Sequence, residues 1–179
     1  RELFGRALYA GGLYGTTVAY GGKSFQCGSA DGLNLFHKEH VNKVNGAKQC
    51  NLYKGAFSAT VLDKMETEMQ NRTGDNGELL AVAPDTIWIP NDADLKRKVF
   101  SAIGADKEPT SANNAYNYQF GRWNVIVDPY MTKALKDLGK TDVPFFLLDS
   151  HFIQMADAAI FQDRVKLEVR SVLDENNDN

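Results

Sequence analysis

Apolar and polar positions change their period several times along this chain, and each change marks an element. The longest apolar stretch runs Leu79-Leu80-Ala81-Val82-Ala83 and then, past Pro84, through Thr86-Ile87-Trp88-Ile89 to Pro90. A run rich in β-branched and aromatic residues and bounded by prolines predicts a strand buried on both faces. Asn91-Asp92-Ala93-Asp94 then offers side-chain acceptors for a helix N-terminus, and Leu95, Val99, Ala102 and Ile103 follow at helical spacing. Gly104 stands where such a helix closes. Further on, Trp123, Val125 and Val127 alternate with Asn124, Ile126 and Asp128, which predicts a second strand before Pro129. Strand, helix, loop and strand together make an α/β core.

The flanking segments are less regular. Leu3, Phe4, Ala7 and Leu8 share one helical face, but the glycines that follow predict only a short helix and then an irregular connection up to Phe25. Residues 26–57 carry turn residues with little periodicity, and a connection that long is uncommon in an ordered domain unless it wraps something. Ser58 to Arg72 predicts a helix with Ser58 as cap and Val61, Leu62, Met65 and Met69 as its apolar stripe, ended by Gly74-Asp75-Asn76-Gly77. Glu66 and Glu68 fall on the face expected to be solvated. Tyr130 to Leu138 predicts a short helical turn stopped by Gly139, Phe145 to Leu148 a buried strand, and Ala158 to Phe161 a weaker one. Val165, Leu167, Val169, Ser171 and Leu173 alternate with Lys166, Glu168 and Arg170 in a final strand that runs into a polar turn. The expectation is a fragment whose return strand lies in a longer parent.

Composition narrows the class. At 179 residues, 43% hydrophobic and 24% charged, the chain is long enough to bury a substantial core. The formal net charge is −3, and Asp174, Glu175 and Asp178 account for it, so the body is neutral and carries no global field toward nucleic acid or membrane. No apolar run approaches the ~20 residues of a membrane span, which predicts a soluble product. Two cysteines, Cys27 and Cys50, make no disulfide framework and favour a reducing compartment.

Candidate chemistry is sparse. Gly22-Lys23-Ser24 resembles the end of a phosphate-binding loop, but Thr17 occupies the position of the first glycine and no helix can start at Phe25-Gln26-Cys27-Gly28. His37 and His40, flanked by Cys27 and Cys50, lack the paired knuckle spacing of a zinc site and read as loop histidines bonded to backbone. Asp92 and Asp94 suit a helix N-terminus. His151 has no nucleophile or orienting partner near it in sequence, and Lys96-Arg97-Lys98 reads as solvated helix surface. The sequence therefore assigns no catalytic residue, no cofactor-binding residue and no metal ligand, and it predicts a structural or interaction protein rather than an enzyme.

At this point a resemblance becomes visible. Asp31-Gly32-Leu33-Asn34-Leu35-Phe36-His37-Lys38-Glu39-His40-Val41-Asn42 resembles a loop of the major head subunits of tailed bacteriophages and prophages, Mu-like ones in particular. In register with it follow a capped helix ending in a Gly-Asp-Asn-Gly turn, Thr86-Ile87-Trp88-Ile89-Pro90, a helix, a loop with Pro109, and Asn124-Val125-Ile126-Val127-Asp128-Pro129-Tyr130. The last segment, Asp163 to Arg170, is similar to that family's long strand. The likeness spans about residues 30–179.

The resemblance implies a mixed α/β (α+β) chain of the HK97-type capsid fold, with an axial domain and part of a peripheral domain. Residues 51–140 would form the axial domain, 1–50 a peripheral segment with its loop-rich connection, and 141–179 the return to peripheral strands. It implies self-assembly into hexamers and pentamers of an icosahedral shell around double-stranded DNA, which is bound non-specifically. Scaffolding, protease or portal proteins are further implied partners. The implied location is the virion capsid, assembled in the bacterial host cytoplasm. Two alternatives stand beside it: an encapsulin-like nanocompartment shell protein, and a small metal-dependent enzyme with its site in residues 26–57. The connection from Ala105 to Phe120 reads as polar and without periodicity. Its Pro109, Asn113, Asn114 and Asn117 suit an exposed path, and Pro109, Asn113, Asn114, Tyr116 and Tyr118 are the expected subunit-interface residues, with the two tyrosines as anchors.

Overall fold

The computed structural model describes residues 5–74, 76–107 and 115–155. Leu3, Phe4, Asp75, Pro109, Asn113, Asn114 and the strands expected at Ala158 to Phe161 and Val165 to Leu173 lie outside them. In chain order, a π-helix (Ala7–Leu13) precedes strands β1 (Thr17–Tyr20), β2 (Lys23–Gln26), β3 (His40–Val41) and β4 (Lys48–Gln49). Helix α1 (Ala59–Gln70), strand β5 (Thr86–Pro90), helix α2 (Ala93–Ile103) and strand β6 (Asn124–Asp128) follow, then helix α3 (Pro129–Asp137), strand β7 (Phe146–Leu148) and helix α4 (Ser150–Met155). The fold is mixed α and β.

β5 is the middle of a three-stranded sheet ordered β6-β5-β7, parallel to β6 and antiparallel to β7. All five of its residues are buried, as its apolar composition requires. Register assigns the faces: Ile87 lies between Val125 and Leu147, and Trp88 between Ile126 and Phe146. On the first face Ile87, Ile89 and Leu147 pack with Leu62 of α1 and with Leu95, Val99 and Ile103 of α2. On the second, Trp88 and Phe146 pack with Tyr9 of the π-helix and with Met131 and Leu135 of α3. The sheet thus has helices on both faces, as a parallel pair joined by a helical crossover demands.

The helices start and stop where their local chemistry directs. Ser58 Oγ accepts from Val61 N at 3.2 Å, Asp92 Oδ1 from Leu95 N at 2.8 Å, and Asp128 Oδ1 from Tyr130 N at 2.8 Å. Pro129 is not merely a strand stop; it is the first residue of α3, where its missing N–H costs nothing. Gly139, at φ +63°, ends that helix in a conformation other residues resist. Gly104 closes α2 differently, with an ordinary φ of −89°. It is needed for space, since a Cβ there would lie 2.4 Å from the Phe100 carbonyl oxygen.

Four expectations are corrected. Leu79 to Ala83 is not strand: Leu79 and Leu80 are exposed and Ala81 has φ +53°, so the strand begins at Thr86. The connection after the first helix is not irregular but a hairpin, β1 on β2, turned by Gly21 and Gly22 at φ +58° and +74°. Lys23 and Ser24 are strand residues of it. α1 ends at Gln70, ahead of the glycine turn, and Arg72 N is satisfied by Met69 O. Glu66 is buried, at 4% exposure, rather than solvated. Among the described residues no helix is long and apolar enough to cross a membrane.

Candidate subunit-interface site

The turn after α2 inverts the usual order of a folded surface. From Tyr116 to Phe120 the aromatic side chains of Tyr116, Tyr118 and Phe120 face outward at 74%, 48% and 45% exposure, while the amides of Asn117 and Gln119 are buried. This is period-2 alternation with the apolar side turned out. The segment is therefore neither periodicity-free nor uniformly exposed, and Asn117 lies inside.

Both amides are tied down. Asn117 Nδ2 donates to Ala102 O at 2.8 Å, in the last turn of α2, and to Ala105 O at 3.0 Å just beyond the helix. Its backbone N donates to Asp106 O at 2.9 Å, and its Oδ1 accepts from Gln119 N at 3.1 Å. Gln119 Nε2 reaches α1, donating to Asp63 Oδ1 at 2.8 Å and Glu66 Oε2 at 2.7 Å, while its Oε1 accepts from Trp123 Nε1 at 2.6 Å. Arg122 ion-pairs with the other oxygen of Glu66, which also accepts from Gln70 at 3.3 Å. Glu66 is thus a satisfied buried carboxylate holding the turn against the helix. Burial and the neighbouring Asp63 carboxylate push the Tyr118 phenol up, so it stays neutral, and the Arg122 guanidinium lies 5.9 Å over its ring. The antiparallel bridge of Lys107 with Tyr116 closes the base. Of the expected interface residues, the structure thus places Tyr116 and Tyr118 on one exposed, anchored row.

The other sequence candidates are engaged locally. His40 Nδ1 lies 2.7 Å from Asp31 Oδ2 and its Nε2 3.1 Å from Leu35 O, while His37 Nδ1 accepts from Glu39 N at 3.1 Å. Ser29, His40 and the Leu33 N–H together hold the Asp31 carboxyl well below the usual range. Among the described residues no group of three or more His, Cys, Asp or Glu side chains is placed to hold a metal ion. His151 does have a partner, Asp85, at 3.6 Å. Ser150 and Thr86 donate to the same carboxylate, so serine and histidine both meet the acid rather than each other, which is not the relay of a nucleophilic triad. Lys96 and Arg97 pair with Asn91 at 2.8 Å and Asp94 at 3.0 Å.

No protein-family model matches the chain, and no curated protein and no solved structure matches it either.

Proposed function

We propose that the chain is a structural subunit that binds copies of itself, the major head protein of a bacteriophage or prophage shell with the HK97-type fold. The observation that carries this reading is the row Tyr116, Tyr118 and Phe120, held outward by Asn117 and Gln119. A monomer gains nothing from fixing three aromatic rings in water, whereas aromatic rings on a rigid base contribute strongly at a protein interface. The ordered segments that resemble head subunits, from the Asp31 loop through the Pro90 strand to Asn124-Val125-Ile126-Val127, support the same reading. So does a neutral body, which lines a DNA-filled interior without gripping the duplex. In this reading the three-stranded sheet and its helices form the axial domain, and closed rings sum modest contacts into a stable shell.

Negative-stain microscopy of the protein expressed in a bacterium tests it. Closed isometric particles containing double-stranded DNA are expected. Particles filled with an enzyme would transfer the chain to the encapsulin-type nanocompartments, and a protein that stays monomeric at high concentration would overturn the reading.

A further inference from the structure

The sheet stops at β6, whose far side carries no strand among the described residues. The register shows which groups stand on that side. Asn124 N donates to Asp85 O at 2.8 Å, so Asn124 is bonded to β5, and in a parallel ladder the same role passes to every second residue, here Ile126 and Asp128. The N–H and C=O groups of Val125 and Val127 therefore point away from β5. Among the described residues no backbone hydrogen bond reaches them there.

Sheet edges are commonly blunted by lysine, proline or a bulge. Asn124-Val125-Ile126-Val127-Asp128 contains neither residue, and it pairs with β5 one for one without a bulge. Its central side chain, Ile126, is 44% exposed on the sheet face that also carries Trp88 and Phe146. The opposite edge is better protected, since Phe146 and Leu147 of β7 are buried.

The order of residues along β6 selects what fits the edge. When a second β6 is laid antiparallel about a two-fold axis at Ile126, Val125 of each copy opposes Val127 of the other. Both of these pairs consist of outward-facing residues, so each pair exchanges both of its hydrogen bonds. A shift of two residues either way leaves only one such pair. In the centred register Ile126 meets its counterpart, and Asn124 meets Asp128 at both ends. Amide donors then face carboxylate acceptors, with Tyr130 N engaging only Oδ1 of Asp128, and no like charges are opposed. The strand is self-complementary, as a contact between identical patches requires.

We propose that β6 pairs with β6 of a second copy of this chain, antiparallel and centred on Ile126, so that two three-stranded sheets become one continuous sheet. The inference goes beyond the shell-subunit reading and does not rest on it.

Cysteine cross-linking and sedimentation velocity of the 179-residue chain test the pairing, with thermal melts as the control for folding. For the cross-linking, Cys27→Ser and Cys50→Ser first remove the native thiols. Residues opposed in a non-hydrogen-bonded antiparallel pair have Cα atoms about 4.5 Å apart, within disulfide reach, so Ile126→Cys should give a covalent dimer under mild oxidation. Asn124→Cys is the control. Its two copies would lie roughly 14 Å apart along the paired strands and should stay unlinked. In the native-cysteine chain, Ile126→Lys and Ile126→Glu should each lose the wild-type dimer, because like charges meet at the axis, and their equimolar mixture should regain it. Single charged variants that dimerise as wild type does, a mixture that stays monomeric, or Asn124→Cys linking as readily as Ile126→Cys would overturn the pairing. Wild type that stays monomeric at every concentration would also overturn it and leave the edge to another occupant, such as Val165 to Leu173 of the same chain. Shells that form equally well from Ile126→Lys subunits would sink this contact alone, whereas cross-linked dimers that never build shells would sink only the shell reading.

Discussion

Gln119 Nε2 lies 2.7 Å from Glu66 Oε2, both side chains buried, although 53 positions separate them in the chain. This bond and the one to Asp63 join the aromatic turn to α1. Replacing Gln119 with Leu keeps much of the volume but removes a donor from Glu66 and the acceptor of Trp123. Leaving buried polar groups unpaired costs about 1–3 kcal/mol each, so urea unfolding should show a loss of about 2–4 kcal/mol. A loss below about 0.5 kcal/mol would mean that the turn is not fastened in this way.

Tyr9 should behave in the opposite sense. Its ring is fully buried and packs edge-on to Phe146 at 5.2 Å, but its hydroxyl has no hydrogen-bond partner among the described residues, and burial holds the phenol neutral. Tyr9→Phe keeps the ring contacts and removes the stranded group. Stability by calorimetry should be unchanged or up by about 1 kcal/mol, and a clear fall in the midpoint would reveal a partner for the hydroxyl.

Asp31 makes the loop around His40 acid-sensitive. Its carboxyl is depressed by Ser29, His40 and the Leu33 N–H, so between the folded and unfolded values the unfolded chain binds more protons. Its stabilising contribution is therefore present above the ordinary carboxylate range, near pH ~4, and fades as the pH falls below it. Asp31→Asn should flatten the acid limb of a plot of thermal midpoint against pH. His40→Asn should destabilise more than His37→Asn, because only His40 spans Asp31 and Leu35 O. Equal effects of the two histidine changes would contradict that assignment.

Gly104→Ala is expected to be harmful despite alanine's better helix propensity. The backbone conformation suits any residue, so the damage comes from crowding against the Phe100 carbonyl, at about 1–3 kcal/mol. A variant more stable than wild type would show that the end of α2 yields freely.

What was legible in the sequence was local. Ser58, Asp92 and Gly139 mark helix ends because caps act within three or four residues, and Thr86 to Ile89 reads as strand because nearly every side chain in it is apolar. Leu79 to Ala83 has similar composition, but among the described residues it makes only one isolated bridge, Leu79 with Thr73, and apolar content alone does not make a ladder. Gly21-Gly22 between Thr17–Tyr20 and Lys23–Gln26 was a readable two-residue hairpin signal, outweighed by the number of glycines around it. The site was half legible. Tyr116 and Tyr118 stood out by residue type, whereas Tyr-Asn-Tyr-Gln-Phe hides its alternation because the buried partners are amides. Glu66 looked like helix surface because its partners, Gln119 and Arg122, come from a distant segment. The pairing of His151 with Asp85 escaped notice for the same reason.

The position of β5 sets a timetable for biosynthesis. Its neighbours on either side, β6 and β7, are both later in the chain, and so is α3, which covers Trp88. Before β6 and β7 emerge from the ribosome, Ile87, Trp88 and Ile89 have both strand edges open, and the helices that cover their two faces, α2 and α3 among them, are only partly in place. Such a segment is adhesive, since unpaired strand edges template pairing with other chains. Many identical nascent chains on one polysome would expose it together. The protein's vulnerable moment therefore precedes completion of the sheet, and it is there that a chaperone would have most to do.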